Sequence, residues 1–374
     1  MQEQIVYKGT DWERFLQQVL LETHCENPML VCGKHVLKQQ SMLDYISNSQ
    51  YKFTVFTDFQ PNPDYNSAFH AASIFVRQHC DFMLAIGGGS AIDIAKCARR
   101  FASMDLSKDC LVQVPKESNI KMLAIPTTAG SGSEATHFAV LYRNNQKYSV
   151  SDDDMLPGYV VLNPNFLEGM SIYQKDSCFL DALCQAVESW WSLKANEESI
   201  AYSKKAISLL LKNYKDYFSL CVNNNNIIID KEIYANVLLG AHYAGKAINI
   251  TTTTAAHAMS YGITKKFGLA HGHAVALCMV QVWQNLLESD NRNLDNVLKD
   301  ISRTFNCITK DDALVKFKLI LTDLKMSVPR LTANHDIQQL AETVNIQRLD
   351  NHPIPLNVNE LRLMYENIFQ SYEG

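Results

Sequence analysis

The chain has 374 residues, of which 47% are hydrophobic and 20% are charged, a composition typical of globular proteins rather than disordered ones. Its 39 acidic and 34 basic side chains give a net charge of −5 without a basic block, which argues against nucleic-acid binding. No apolar run approaches the roughly 20 residues of a membrane span, and the first residues lack the apolar core of a secretion signal. The ten cysteines form no CxxC pair, which indicates single thiols in a reducing cytoplasm.

Helices and short apolar strands alternate along the first half of the chain. Apolar runs predict strands over 27–32, 52–56, 82–86 and 121–125. Amphipathic patterns predict helices over 12–22, 39–47, 67–80 and 91–101. Strands separated by helices of this length are typical of βαβ units, so we predict an α/β domain with a parallel sheet.

The second half carries helical patterns almost throughout. They cover 177–193, 198–213, 231–248, 254–267, 273–287 and 293–305, and the asparagine-rich tract 223–226 is a predicted loop. The turn-prone Asn163-Pro164-Asn165 interrupts the pattern. We therefore predict an α/β domain over 1–165 and an all-α domain over 166–374.

Two polar loops follow two of the predicted strands. The first, Gly87-Gly88-Gly89-Ser90, lies between a strand and a helix, where backbone N–H groups and the helix dipole favour an anion such as a pyrophosphate. The second covers 126–134 and combines hydroxyl groups with glycines. Ligands of open α/β sheets bind at the carboxyl ends of the strands, so the two loops together indicate a binding site. Taken singly, each is also compatible with an ordinary turn or surface loop.

Several candidate metal ligands lie in the helical half. Asp181 and Gln185 share one helix face, and a buried carboxylate needs a cation or a metal as partner. His257 lies in a small-residue helix, and His271 and His273 lie where another helix begins. Two imidazoles and a carboxylate are ligands for a divalent metal. Each residue alone could equally be a packed or capping side chain.

In their order and spacing, these segments resemble the iron-containing (group III) alcohol dehydrogenase family. The matching pieces are Phe59-Gln60-Pro61-Asn62-Pro63, Ile86 to Ser90 with Asp93 and Lys96, 126–134, Asp181-Ala182-Leu183 with Glu188, and His257 with His271-Gly272. The resemblance implies a dinucleotide-binding N-terminal domain and a helical metal-binding C-terminal domain. It also implies NAD(P)H, a divalent metal (Fe²⁺ or Zn²⁺), a small aldehyde or alcohol as substrate, and a homo-oligomer, most often a dimer.

The resemblance also assigns roles to residues. The pyrophosphate would be held by Gly87, Gly88, Gly89 and Ser90, and the nicotinamide side would be lined by Asp93, Thr127, Thr128 and Ser131. The metal would be held by Asp181, Gln185, His257 and His271.

Three positions depart from the family pattern. Gln185 stands where the family usually has a histidine ligand, and Tyr261 stands where it often has a second histidine that relays a proton. Gly33 and Lys34 stand where many NAD-preferring members have an aspartate that repels a 2′-phosphate, so we expect NADPH to be used at least as well as NADH.

A narrower resemblance links the chain to the phosphonoacetaldehyde reductase branch, in which glutamine is the expected residue at position 185, with sulfoacetaldehyde reductases as close relatives. It implies an anionic two-carbon aldehyde as substrate. The proton that the alkoxide takes up would come from Tyr261, from His273 or from a relay of ribose hydroxyl groups and water. Candidate residues for the anionic group are Thr136, His137, Asn249, Thr252 and Lys265. A general short-chain alcohol dehydrogenase, a dehydroquinate-synthase-like lyase and a metal-free nucleotide-binding protein remain as alternatives.

Overall fold

The computed structural model describes residues 3–38, 40–114, 117–144, 146–219, 230–331 and 335–370. It divides into two compact units, Met1–Gly169 and Met170–Gly374. The predicted loop over 223–226 lies outside the described residues.

The first unit is built on a six-stranded parallel sheet with the strand order β1-β8-β5-β4-β2-β3, and β6 and β7 form a separate antiparallel hairpin. The strands are β1 (Ile5–Lys8), β2 (Pro28–Cys32), β3 (Thr54–Phe56), β4 (Phe82–Gly87), β5 (Lys121–Pro126), β6 (Phe138–Arg143), β7 (Gln146–Ser151) and β8 (Tyr159–Leu162). Four helices accompany them: α1 (Trp12–Glu22), α2 (Gln40–Asn48), α3 (Tyr65–Arg77) and α4 (Gly89–Ala102).

Both faces of this sheet are covered, which explains why its inner strands are continuous apolar runs. In β2, Met29 and Val31 join the core formed with α3 and α4. Leu30 and Cys32 point to the other face and join the core formed with α1 and α2. Each such aliphatic side chain contributes about 1.5–3 kcal/mol by its burial. The predicted α/β class with a parallel sheet is confirmed.

The strands that the sequence pattern did not predict are β1, β8 and the β6–β7 hairpin. β1 is partly exposed, and it pairs in register with β8, Ile5 opposite Tyr159. β7 exposes most of its residues and holds only Val150 in the core. A strand with one solvent-facing side, such as β7, lacks the continuous apolar run that identifies a buried strand. β8 is apolar and mostly buried, but it is only four residues long.

The second unit is helical throughout its described residues, as predicted. Its helices are α5 (Ile172–Trp191), α6 (Glu197–Ser219), α7 (Lys231–Thr251), α8 (Ala255–Phe267), α9 (His271–Leu287), α10 (Arg292–Thr304), α11 (Lys310–Asp323), α12 (His335–Glu342) and α13 (Val358–Gln370). A short 3₁₀ helix, Ile346–Asn351, precedes α13. Among the described residues, none of the helices combines the length and the apolar character that crossing a bilayer requires.

Candidate functional site

The two polar loops of the first unit contact each other at the carboxyl ends of β4 and β5. The Thr127 N–H donates to the Gly87 carbonyl at 3.0 Å. A Cβ atom at Gly89 would lie 2.8 Å from Ser131 Oγ, closer than two such atoms normally approach. Glycine at position 89 therefore allows the hydroxyl-rich loop to pack directly against the start of α4.

The start of α4 has the features of an anion site. Its N-cap residue, Gly88, offers no side chain to its first-turn N–H groups. Uncapped amides and the positive end of the helix dipole favour a phosphate. β2 runs parallel to β4, with Cys32 opposite Ile86, so the two strands end at the same edge of the sheet. Gly33, which follows β2, therefore lies at the edge where α4 begins. The residue that follows, Lys34, is exposed.

A buried polar network connects the hydroxyl-rich loop to α4. Asp93 accepts hydrogen bonds from Ser133 Oγ at 2.5 Å and from the Val140 N–H at 3.0 Å. Lys96 Nζ donates to Thr136 Oγ1 and to the Phe138 carbonyl, both at 2.9 Å. Burial raises the pKa of Asp93 and lowers that of Lys96 to about 8. Asp93 and Thr136 thus have partners inside the unit, and their roles toward cofactor and substrate stay predictions.

In the second unit, three of the predicted metal ligands converge. Asp181 of α5, His257 of α8 and His271 at the start of α9 each offer a ligand atom, and these atoms lie within 4.8 Å of one another. Asp181 Oδ1 is 3.3 Å from His257 Nε2 and 4.0 Å from His271 Nε2. Ligands about 2.0–2.2 Å from one tetrahedral ion lie about 3.4 Å apart, so the cluster fits a divalent metal.

Close packing of α9 on α5 brings His271 to Asp181. A Cβ atom at Gly272 would lie 1.9 Å from the Ser177 carbonyl oxygen and 2.7 Å from Asp181 Cβ, so only glycine fits there. The next residue, His273, donates its backbone N–H to Ser177 Oγ at 3.1 Å. The missing side chain of Gly272 thus allows the packing that brings His271 next to Asp181.

Gln185 lies one turn after Asp181 and is also buried. Burial would raise the pKa of Asp181, but the hydrogen bond from His257, the charges of His271 and His257, and a hydrogen bond with Gln185 hold it below its ordinary value. The carboxylate is therefore kept ionised, as a metal ligand must be. Gln185 stays a predicted ligand.

Glu188 holds the other side of His257, a role that the sequence did not reveal. Its Oε2 atom is hydrogen-bonded to His257 Nδ1. Its Oε1 atom accepts from the Thr254 N–H at 3.2 Å, the Thr254 hydroxyl at 2.6 Å and the Ala256 N–H at 2.9 Å. Glu188 thus satisfies the first N–H groups of α8 and orients the imidazole so that Nε2 faces Asp181. Burial would lower the pKa of His257, but the charge of Glu188 and the hydrogen bonds to both carboxylates raise it to about 9.

Of the two candidate proton donors, Tyr261 lies beside the cluster, and His273 contacts Tyr173. The Tyr261 ring stacks on the His271 ring with the centroids 5.4 Å apart and the planes 6° apart. Arg348, which the sequence analysis did not single out, donates to Tyr261 Oη at 3.0 Å. His273 is buried, its Nδ1 lies 3.0 Å from Tyr173 Oη, and burial lowers its pKa. Both catalytic assignments stay predictions.

The remaining candidate substrate residues are dispersed over both units. His137 is half-buried beside Phe138 in the first unit. In the second, Asn249 is buried in α7, and Lys265 is exposed near the end of α8. Thr252 has a left-handed backbone with φ +59° and accepts from Asn351 Nδ2 at 3.1 Å.

Comparison with known proteins gives a consistent result. The family description "Iron-containing alcohol dehydrogenase" matches residues 4–164, and "Fe-containing alcohol dehydrogenase family, C-terminal" matches residues 177–367. Phosphonoacetaldehyde reductase of Streptomyces viridochromogenes is 32% identical over 210 residues, covering 53% of this chain and 51% of that protein. 4-Hydroxybutyrate dehydrogenase of Clostridium kluyveri is 31% identical over 236 residues, covering 62% of this chain and 60% of that protein. The chain therefore spans less than two thirds of either relative.

Among solved structures, sulfoacetaldehyde reductase from Bifidobacterium kashiwanohense in complex with NAD⁺ has the same fold. The TM-score is 0.86 at 23% sequence identity, over 99% of this chain and 98% of that one.

Proposed function

The chain belongs to the iron-containing alcohol dehydrogenase family, and we propose that it is an oxidoreductase of alcohols and aldehydes, namely a metal-dependent, NAD(P)H-linked reductase of a small anionic aldehyde. The observation that carries this proposal is the convergence of Asp181, His257 and His271, with ligand atoms within 4.8 Å of one another. The uncapped start of α4 supports nucleotide binding.

When bound, the ion supplies a Lewis acid for the carbonyl oxygen and the nicotinamide supplies the hydride. The residues of this chain provide the rest. His257 and His271 hold nitrogen ligands in place, and Glu188 fixes the direction of the first. A proton must reach the oxygen that becomes the hydroxyl group, and we propose Tyr261 or His273 as its source.

We also propose that NADPH is used at least as well as NADH. Gly33 and the exposed Lys34 follow β2, so no carboxylate at these two positions repels a 2′-phosphate.

The substrate class is supported by the names of the relatives. Phosphonoacetaldehyde, 4-hydroxybutyrate and sulfoacetaldehyde all have two to four carbons and an anionic group at the end opposite the reacting carbon. Moving such a group from water into a protein requires paired donors. Thr136, His137, Asn249, Thr252 and Lys265 remain proposed contributors.

The test combines metal analysis with NADPH and NADH oxidation on a panel of aldehydes. We expect about one divalent ion per chain and a kcat/KM at least 100-fold higher for phosphonoacetaldehyde, sulfoacetaldehyde or succinate semialdehyde than for propanal or butanal. Equal kcat/KM values for charged and neutral aldehydes would instead indicate a general short-chain alcohol dehydrogenase. Absence of both metal and activity would instead favour a non-catalytic nucleotide-binding protein.

His271→Ala removes a proposed ligand without altering the first unit. We expect it to abolish activity and to leave nucleotide binding, measured by NADPH fluorescence titration, within about twofold of wild type. If both are lost together with the cooperative unfolding transition, the variant reports a folding defect rather than the role of His271.

A further inference from the structure

Arg348 lies one aromatic ring away from a proposed metal ligand. Tyr261 stacks on His271, and the guanidinium carbon of Arg348 lies 5.0 Å from the centroid of the Tyr261 ring. The Arg348 Nη1 atom also donates to Tyr261 Oη at 3.0 Å. The Tyr261 ring therefore lies between the guanidinium and the cluster of proposed metal ligands.

The charge of Arg348 is not balanced by a neighbouring carboxylate. In the part of the chain that the structure describes, no Asp or Glu oxygen lies within 4.0 Å of its guanidinium nitrogens. The side chain is half-buried, and a partly desolvated cation gains from an anionic partner. Of the five N–H donors of a guanidinium, one is used by Tyr261.

We propose that Arg348 binds the anionic head group of the substrate, an inference that rests on the proposed function. A planar guanidinium offers two parallel N–H groups, and phosphonate, sulfonate and carboxylate groups each offer two oxygens to match them. The exposed Lys265 carries a compact ammonium group that lacks these two parallel N–H groups. A two-carbon chain with bonds of about 1.5 Å separates its carbonyl oxygen from its head group by only a few ångströms, so the anion site must lie close to the metal ligands, as Arg348 does.

The test compares charged and neutral substrates in two variants. Arg348→Met keeps much of the side-chain length and removes the charge, whereas Arg348→Lys keeps the charge and removes the two parallel N–H groups. Arg303→Met is the matched control, because Arg303 is highly exposed and pairs with Asp300. We expect Arg348→Met to lose at least 100-fold in kcat/KM on phosphonoacetaldehyde, mostly through KM, and less than about fivefold on propanal. Arg348→Lys should recover part of the loss, and the control should lose nothing.

A binding measurement separates recognition from catalysis. Ethylphosphonate has the head group but no carbonyl, so its inhibition constant against propanal reduction reports the anion site alone. We expect Arg348→Met to raise this constant at least 30-fold, and Tyr261→Phe, which removes only the hydroxyl acceptor, to preserve the ratio of charged to neutral kcat/KM.

The outcomes that overturn the inference differ from those that overturn the proposed function. An equal loss on both aldehydes in Arg348→Met would mean that Arg348 only positions Tyr261. An unchanged inhibition constant would mean that the anion binds elsewhere. A wild-type enzyme that does not distinguish charged from neutral aldehydes would remove the proposed substrate class itself, before any variant is examined.

Discussion

Replacing Glu188 by glutamine should weaken metal binding by leaving the proton of His257 on Nε2, the nitrogen that faces the metal. The three donors facing Oε1, two N–H groups and the Thr254 hydroxyl, require an acceptor there. The glutamine oxygen would therefore occupy the Oε1 position, and the amide NH₂ would face His257 Nδ1. That nitrogen must then accept, so the imidazole of the variant keeps its proton on Nε2, the atom that faces Asp181 and the metal. Wild-type His257, with its pKa raised to about 9, is instead protonated on both nitrogens near neutral pH.

The size of the effect follows from these contacts. To bind the metal, the variant must return His257 to the other tautomer, which breaks a neutral hydrogen bond worth about 1 kcal/mol and leaves two buried donors facing each other at a cost of roughly 1–3 kcal/mol. The total is about 2–4 kcal/mol. The wild type also loses a proton when it binds the metal, which at pH 8 costs about 1.4 kcal/mol for a pKa of about 9. The net penalty of about 0.6–2.6 kcal/mol corresponds to a roughly 3- to 80-fold increase in the metal Kd, comparable with the 10- to 100-fold range usual for residues that support a metal ligand.

The assay is a competition titration of the metal-free enzyme with Zn²⁺ and a chromophoric chelator, supported by the visible spectrum of the Co²⁺ form. Glu198→Gln is the matched control, since Glu198 is exposed in the first turn of α6. Because the glutamine of Glu188→Gln still accepts from Thr254 and Ala256, we expect thermal unfolding to shift little. A Kd within threefold of wild type would falsify the tautomer argument, and an equal loss in the control would indicate a general effect of the removed charge.

Three further predictions concern other parts of the molecule. Gly33→Asp should shift the ratio of kcat/KM towards NADH at least tenfold by repelling the 2′-phosphate, whereas Gly33→Ala should not, although both displace the His35 ring, which would lie 2.7 Å from a new Cβ. Lys96→Met should destabilise the first unit by about 3–5 kcal/mol in urea unfolding, because it removes the cation that acts most strongly on the buried Asp93; the exposed Lys52→Met should cost little. Burial raises the pKa of Asp176 to about 6, so ionised Asp176 lowers stability as the pH rises through 6, and Asp176→Asn should raise Tm at pH 8 by more than at pH 5.

Each of these predictions has an outcome that contradicts it. Equal shifts in Gly33→Asp and Gly33→Ala would assign the effect to the displaced imidazole. A Lys96→Met variant as stable as wild type would mean that the network around Asp93 needs no cation. A Tm change in Asp176→Asn that is independent of pH would exclude ionisation as its cause.

The buried half of the fold could be predicted from the sequence because burial leaves a local pattern. β2, β4 and β5 are covered on both faces, and their residues are apolar without interruption apart from the exposed Lys121 and the terminal Gly87. The β6–β7 hairpin could not be found in this way, since its outward residues are polar or half-exposed. For the same reason the predicted helices agree with the structure best in their apolar centres and least at their ends.

Some residues of the candidate site could be proposed from the sequence, and others could not. Asp181, His257 and His271 could be proposed from residue type and from family spacing. The partners that orient them could not, because Glu188 and His257 are 69 positions apart and Arg348 and Tyr261 are 87 positions apart. Thr136, proposed for the substrate from its place beside a polar loop, has a partner of the same kind: its hydroxyl accepts a hydrogen bond from the buried Lys96, 40 positions away, and its role toward the substrate stays a prediction. A single sequence carries no local signal for contacts of this range.

The residues that could be proposed from the sequence do not decide which aldehyde a member of the family uses. The roles proposed for the glycine loop and for the metal ligands, nucleotide binding and polarisation of a carbonyl, do not involve the rest of the substrate, so these groups cannot distinguish one aldehyde from another. The difference must come from groups that contact the rest of the substrate. In this chain the best-placed group is a guanidinium on the short 3₁₀ helix Ile346–Asn351, held against the ring of Tyr261, the residue that departs from the family histidine. A tyrosine at position 261 and an arginine at position 348 therefore act as a pair, because the aromatic ring gives the Arg348 guanidinium a surface to stack on, which a protonated histidine could not do. Selectivity for an anionic head group then follows from two residues outside the shared ligand set.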